Sequence, residues 1–163
     1  MLPTRLPAEL SFLKELRYSK AFRPARGFDG SMTLCEEDVA DVPARRGVYI
    51  IVAADRTKFV YPKGKSPVIY IGQASNLRRR LREHLKHWRD IVRDEEDDLR
   101  AHIEHCPRYW YIESCKGARV YTFYCLKGQR EKDLESDIIW RFYEKYRALP
   151  VGNGARSFGT DEK

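Results

Sequence analysis

The chain has 163 residues, with 31 Lys and Arg against 24 Asp and Glu and a formal net charge of +7. That length holds one domain with its own core, needing neither disulfide nor metal to fold. A composition of 34% charged and 42% apolar residues excludes a membrane-spanning class and wholesale disorder, and the basic balance, with a pI near 9.3, fits nucleic acid as partner.

Residues 1–42 read as a partly helical arm. A short helix from Pro7 to Leu16 sets Leu10, Phe12, Leu13 and Leu16 on one side, 23–30 is loop-like, and Glu36 to Val39 form a further helical turn. The arm has too few apolar residues for a domain of its own and is expected to pack on the remainder. The opening residues carry no long apolar run and no small-residue cleavage site, which predicts a cytoplasmic protein with no leader and no membrane partner. Its four cysteines, Cys35, Cys106, Cys115 and Cys125, then stay reduced.

The texture changes in the main domain, 43–154. GVYIIVA at 47–53 and PVIYIG at 67–72 are β-rich runs that favour an antiparallel pair. Between them, DRTKFVYPKGKS, with its charges, Pro62 and Gly64, suggests a long, mobile connection in which KFVY extends the first strand or adds a short one. SNLRRRLREHLKHWR at 75–89 is a helix capped by Ser75 or Asn76, with Leu77, Leu81, Leu85 and Trp88 along one stripe. An acidic-fronted helix follows over 93–106. Strands from Arg108 to Glu113 and Ala118 to Leu126 flank the turn Cys115-Lys116-Gly117. A long helix runs from Arg130 to Tyr146, LPVGNG ends it, and 155–163 form a loose tail. The fold class is α/β, in the α+β sense: a small central antiparallel or mixed sheet flanked by helices.

Two helical wheels single out particular side chains. On the first long helix Arg80 and His84 fall about 60° and 20° from Leu77, beside the apolar stripe and one turn apart. Arg78, Arg82 and Arg89 fall on another face, free to meet phosphates or to serve as a solvated helix surface. On the last helix Glu135 lies about 100° from Leu134, inside the arc of Ile138, Ile139, Phe142 and Tyr146. A carboxylate there is costly unless it is paired, with Arg80 as a candidate partner, or bound to a metal ion.

The order of these elements resembles the GIY-YIG nuclease family, through Gly47-Val48-Tyr49, Tyr70-Ile71-Gly72, Asn76-Leu77 with Arg80 and His84, then Glu135 and Asn153. The resemblance spans roughly Pro43 to Gly154. It implies a metal-dependent endonuclease that hydrolyses phosphodiester bonds, with double-stranded DNA as substrate. Tyr49 would be the general base and Tyr70 would orient the water or relay its proton. Arg80 and His84 would stand at the scissile phosphate. Glu135 would be the one carboxylate ligand of a single divalent ion, Mg²⁺ or Mn²⁺. A phenol is a poor base near neutrality unless cations stabilise its phenolate, a field expected here from Arg80, His84 and the metal. Substrate contacts would come from Gly72, Gln73, Asn76, Arg78, Arg82 and Asn153, with Asn153 anchoring the C-terminal segment. Gln73 stands where many members carry a basic residue, and the segments from Tyr49 to Tyr70 and from Glu135 to Asn153 are long for the family. One metal site cuts one strand at a time, so double-strand cleavage would call for a homodimer or successive nicks. Two other readings compete: a nucleic-acid-binding or scaffold protein keeping the fold without efficient cleavage, and a zinc module built on His102, Cys106, Cys115 and Cys125.

Overall fold

The computed structural model describes residues 7–13, 32–54, 57–93, 117–125 and 127–153, with the backbone alone given for 87–93. The acidic helix beyond residue 93, the strand at 108–113, His102, Cys106 and Cys115, the side chains of Trp88 and Arg89, and the tail lie outside the described residues.

In chain order the elements are a 3-10 turn (Ala8–Leu13), β1 (Met32–Thr33), α1 (Glu36–Ala40), β2 (Gly47–Val52), β3 (Phe59–Tyr61), β4 (Gly64–Ser66), β5 (Val68–Ala74), α2 (Leu77–Arg93), β6 (Arg119–Tyr124) and α3 (Glu131–Tyr146). The strands form a four-stranded sheet in the order β1-β6-β2-β5 and a separate two-stranded sheet, β3-β4. Every described pairing is antiparallel, so the mixed-sheet alternative is not realised among them. β2 is central because it is apolar on both faces: Val48, Tyr49, Ile50, Ile51 and Val52 are all fully buried. Its register sets Tyr49 opposite Gly72 on β5 and Thr122 on β6. Among the described residues no helix is long and apolar enough to cross a membrane.

The described parts of the arm belong to the core. Leu10 and Leu13 are fully buried, Phe12 meets Phe142 edge-on at 5.2 Å, and β1 joins the sheet beside β6. Glu9 accepts the Tyr121 hydroxyl at 2.6 Å and pairs with Arg119 at 3.0 Å, tying the turn to β6.

The expected mobile connection between β2 and β5 is instead a hairpin. Phe59 and Tyr61 alternate with exposed Val60, the period of a half-buried strand. Gly64 takes a φ of 134°, open to glycine and rarely to other residues. Tyr61 packs against Phe142 and Tyr146 of α3, and the Lys63 amide donates to the Tyr146 carbonyl at 3.3 Å. The short strand that KFVY was expected to add is therefore formed, separate from β2, while the pairing strand Gly64–Ser66 was not anticipated.

Both long helices obey their wheels. Leu77 and Leu81 of α2, and Leu134, Ile138, Ile139, Phe142 and Tyr146 of α3, are buried. Asn76, rather than Ser75, caps α2, its Oδ1 accepting the Arg79 amide at 3.0 Å. α2 runs on to Arg93, and α3 stops where Arg147 turns left-handed at φ 59°.

Candidate active site

β2, β5 and α2 converge on one group of side chains. Tyr49 from mid-β2 is fully buried, and its hydroxyl lies 2.6 Å from Nε2 of His84 on α2. Tyr70 from β5 completes a triangle of rings, with centroids 5.9 Å from Tyr49 and 5.5 Å from His84, while Tyr49 and His84 are 5.4 Å apart. Tyr70 and His84 are only partly buried, so this triangle reaches the surface on their side.

The glycines of the two triplets make that convergence possible. A Cβ at Gly72 would stand 2.5 Å from the Tyr49 ring and hydroxyl and from the Tyr70 ring. A Cβ at Gly47 would strike the Phe123 carbonyl at 2.1 Å and Leu77 at 2.9 Å, pushing α2 off the sheet. Gly72 is therefore a packing requirement of the tyrosine pair, leaving room for both rings.

The electrostatics of the group are opposed. Burial pushes the Tyr49 hydroxyl well above the ordinary phenol range, and the neighbouring Tyr70 adds to the shift. Arg80 pulls the other way, as the sequence suggested, but burial outweighs it. Tyr49 therefore favours its neutral phenol, and Nε2 of His84 lies within hydrogen-bond distance of its hydroxyl, accepting or donating according to the His84 tautomer. For Arg80, burial works against the charge. The tyrosine oxygens and Glu83 overcome it and hold the guanidinium firmly protonated. Glu83 accepts from Arg80 Nη1 at 3.0 Å. Sequence reasoning missed Glu83, although the i,i+3 spacing from Arg80 was a legible signal.

Glu135 stands outside this hydrogen-bonded group. It makes no ion pair or hydrogen bond among the described residues, so the expected pairing with Arg80 is not formed. Burial pushes its carboxyl up to about 7, with Lys132 opposing. Among the described residues no group of three or more His, Cys, Asp or Glu could enclose a metal ion. A half-buried carboxylate with no partner still suits one hard divalent cation whose remaining ligands are water and phosphate oxygens.

The expected substrate contacts divide. Arg78 is no free cation: its Nε donates to the Val42 carbonyl at 2.6 Å, pinning α2 to the loop after α1. The wheel set Arg78 away from the apolar stripe, but the carbonyl it reaches lies far away in sequence. Arg82 is exposed and makes no ion pair among the described residues. Asn76 spends its Oδ1 on the helix cap. Gln73 pairs with Val48 in register and is half-buried. Asn153 is 8% exposed and grips the backbone of Ile71 at both ends, accepting from its amide at 2.9 Å and donating to its carbonyl at 2.8 Å. The expected anchoring of the C-terminal segment is therefore seen, onto the strand that carries Tyr70.

Comparison of the chain with protein-family models, with curated proteins and with solved structures gives no match in any of the three.

Proposed function

We propose that this chain is a metal-dependent DNA endonuclease of the GIY-YIG kind. The observation that carries the reading is the short hydrogen bond between buried Tyr49 and His84, with Tyr70 and Arg80 beside it. A buried phenol bonded to an imidazole is an arrangement for moving a proton, since histidine exchanges protons near neutral pH.

In this reading a water attacks phosphorus, forming the new P–O bond as the bond to the leaving deoxyribose oxygen breaks, and that oxygen then takes a proton from solvent water. The attacking water's proton passes to the Tyr49 oxygen as the Tyr49 proton passes to Nε2 of His84, so no free phenolate forms. Tyr70, at the exposed side of the triangle, orients the water. Arg80 neutralises charge gathering on the phosphoryl oxygens. Glu135 would hold the divalent ion, Mg²⁺ or Mn²⁺, which when bound supplies Lewis-acid stabilisation of the leaving oxygen. Arg82 meets backbone phosphates without reading bases.

Supercoiled plasmid incubated with the purified chain tests this. Nicking in Mg²⁺ or Mn²⁺ that EDTA abolishes, and that Tyr49→Phe loses while still binding DNA, is the expected result. A wild-type chain that binds but never nicks would leave the second reading, a DNA-binding protein without cleavage. The complete burial of Tyr49 and the uncharged Gln73 favour that alternative.

A further inference from the structure

We propose that the β3–β4 hairpin seats the protein on duplex DNA, its lysines on phosphates and Val60 against the groove. This rests on the reading that the substrate is DNA, and it assigns the docking to an element outside the tyrosine–histidine group.

The hairpin's two faces differ sharply. Phe59 and Tyr61 turn inward and are each 7% exposed, with Tyr61 held by Phe142 and Tyr146 of α3. Val60 turns outward, 76% exposed, directly across from Lys65 in register. Lys58, Lys63 and Lys65 are all exposed, and none forms an ion pair among the described residues. Residues 57–67 contain these three lysines and no Asp or Glu.

The outward valine is flanked by lysines that form no ion pair among the described residues, so the face joins one apolar side chain to open positive charge. A duplex suits both, because a two-stranded ribbon fits the major groove, phosphates flank it, and the groove floor offers thymine methyls to an apolar side chain. The inward face makes the ribbon rigid, so docking it costs little ordering entropy. Reach is adequate as well. Lys65 is five residues from Tyr70, at most about 18 Å of extended chain, against a duplex repeat of about 34 Å. One duplex can therefore touch the hairpin and the tyrosines together.

The test is fluorescence anisotropy of a short labelled duplex with the full chain, in EDTA, across a salt series. The combined Lys58→Ala, Lys63→Ala, Lys65→Ala variant should bind more weakly, and the slope of log K against log salt should fall by about 0.9 for each phosphate no longer neutralised. Val60→Ser should weaken binding by about fivefold with the slope unchanged, since valine meets the groove without charge. Melting temperatures should match wild type, because all four side chains point to solvent. A triple variant with wild-type affinity and slope overturns the proposal while leaving DNA as substrate, provided the wild type binds and nicks. A wild type that neither binds nor nicks duplex overturns both. A triple variant unaltered on DNA but released from phosphatidylserine vesicles would place the hairpin on a membrane surface instead, which also overturns the proposal.

Discussion

Tyr49 and Tyr61 are both buried aromatic residues in strands, and in both burial pushes the hydroxyl above the ordinary phenol range. Their partners separate them. The Tyr61 hydroxyl donates to the Val68 carbonyl at 3.3 Å and accepts from the Val151 amide at 3.1 Å, two backbone groups that do not titrate at any working pH. The Tyr49 hydroxyl meets Nε2 of His84 at 2.6 Å. The same residue in the same kind of environment is a strut in one place and, in the proposed mechanism, half of a proton path in the other. Burial and a raised pKa do not mark a reactive tyrosine; a partner able to change protonation state does.

The sharpest way to break that contrast is to remove each hydroxyl in turn. Tyr49→Phe should lower nicking roughly 10²–10⁴-fold and barely move the melting temperature. Tyr61→Phe should leave nicking per folded molecule unchanged and cost about 1–3 kcal/mol of stability, because two backbone groups lose their partner. Denaturant titration and plasmid nicking on the same preparations check both. Tyr61→Phe that lost activity at full stability would erase the distinction.

Gly72→Ala attacks the packing beneath the reactive tyrosine alone. The added methyl meets the Tyr49 and Tyr70 rings at 2.5 Å, so about 1–3 kcal/mol of overpacking is expected. Nicking should drop further than the decrease in stability explains, because the ring must leave His84. A crystal structure or the tyrosine ring NMR shifts would report the displacement.

Glu135 sharpens the comparison through pH. Its folded pKa, about 7, lies above the ordinary 4.5. Below 4.5 both states hold the proton. From 4.5 to 7 the unfolded chain has released it and the folded chain still binds it, so stability falls as pH rises across that window and is level above it. Melting temperature without divalent ions should follow that course in wild type and stay flat in Glu135→Gln. At about pH 8, Mg²⁺ or Mn²⁺ should raise the wild-type melting temperature and leave the variant unmoved.

The smallest effects separate two arginines of α2. Arg82→Ala should reduce the salt slope of duplex binding by about 0.9 at constant stability. Arg78→Ala should cost about 1 kcal/mol by removing the bond to Val42 and leave the slope alone.

Much of this was legible before the fold was known, for particular reasons. The β2–β5 pair follows from two short apolar, β-branched runs, and both long helices and the partial shelter of Arg80 and His84 follow from a period of 3.6, which local sequence records directly. The burial of Glu135 came from the same wheel. What local sequence could not record were partners distant in the chain. The Val42 carbonyl took Arg78 and the Ile71 backbone took Asn153, while the i,i+3 partner Glu83, which the spacing did record, holds Arg80 in place of Glu135. The direction of the Tyr49 shift was also hidden, because it depends on how completely the sheet and α2 exclude water around one hydroxyl. The short strand within KFVY was one of the two readings the sequence offered, but its return strand Gly64–Ser66 was not, because an inward period of three residues is too short to stand out among the turn formers around it.

The clasp of Asn153 on Ile71 bears on how the molecule behaves among its neighbours. Among the described residues β5 ends the sheet, and an end strand offers free amides and carbonyls on which another chain can build. Here the Asn153 amide occupies both groups of Ile71, and the Gly152 amide takes the Ile69 carbonyl at 2.7 Å, so a turn imitates the missing next strand. At the opposite edge β1 is two residues long, too short to template much. Cutting the clasp with Asn153→Ala would free the amide and carbonyl of Ile71 on this apolar strand, while the Gly152 bond to Ile69 is backbone and needs no side chain. The colloidal fate of the protein, dispersed or growing into strand-paired aggregates, would then rest on one carboxamide far from the tyrosines in sequence.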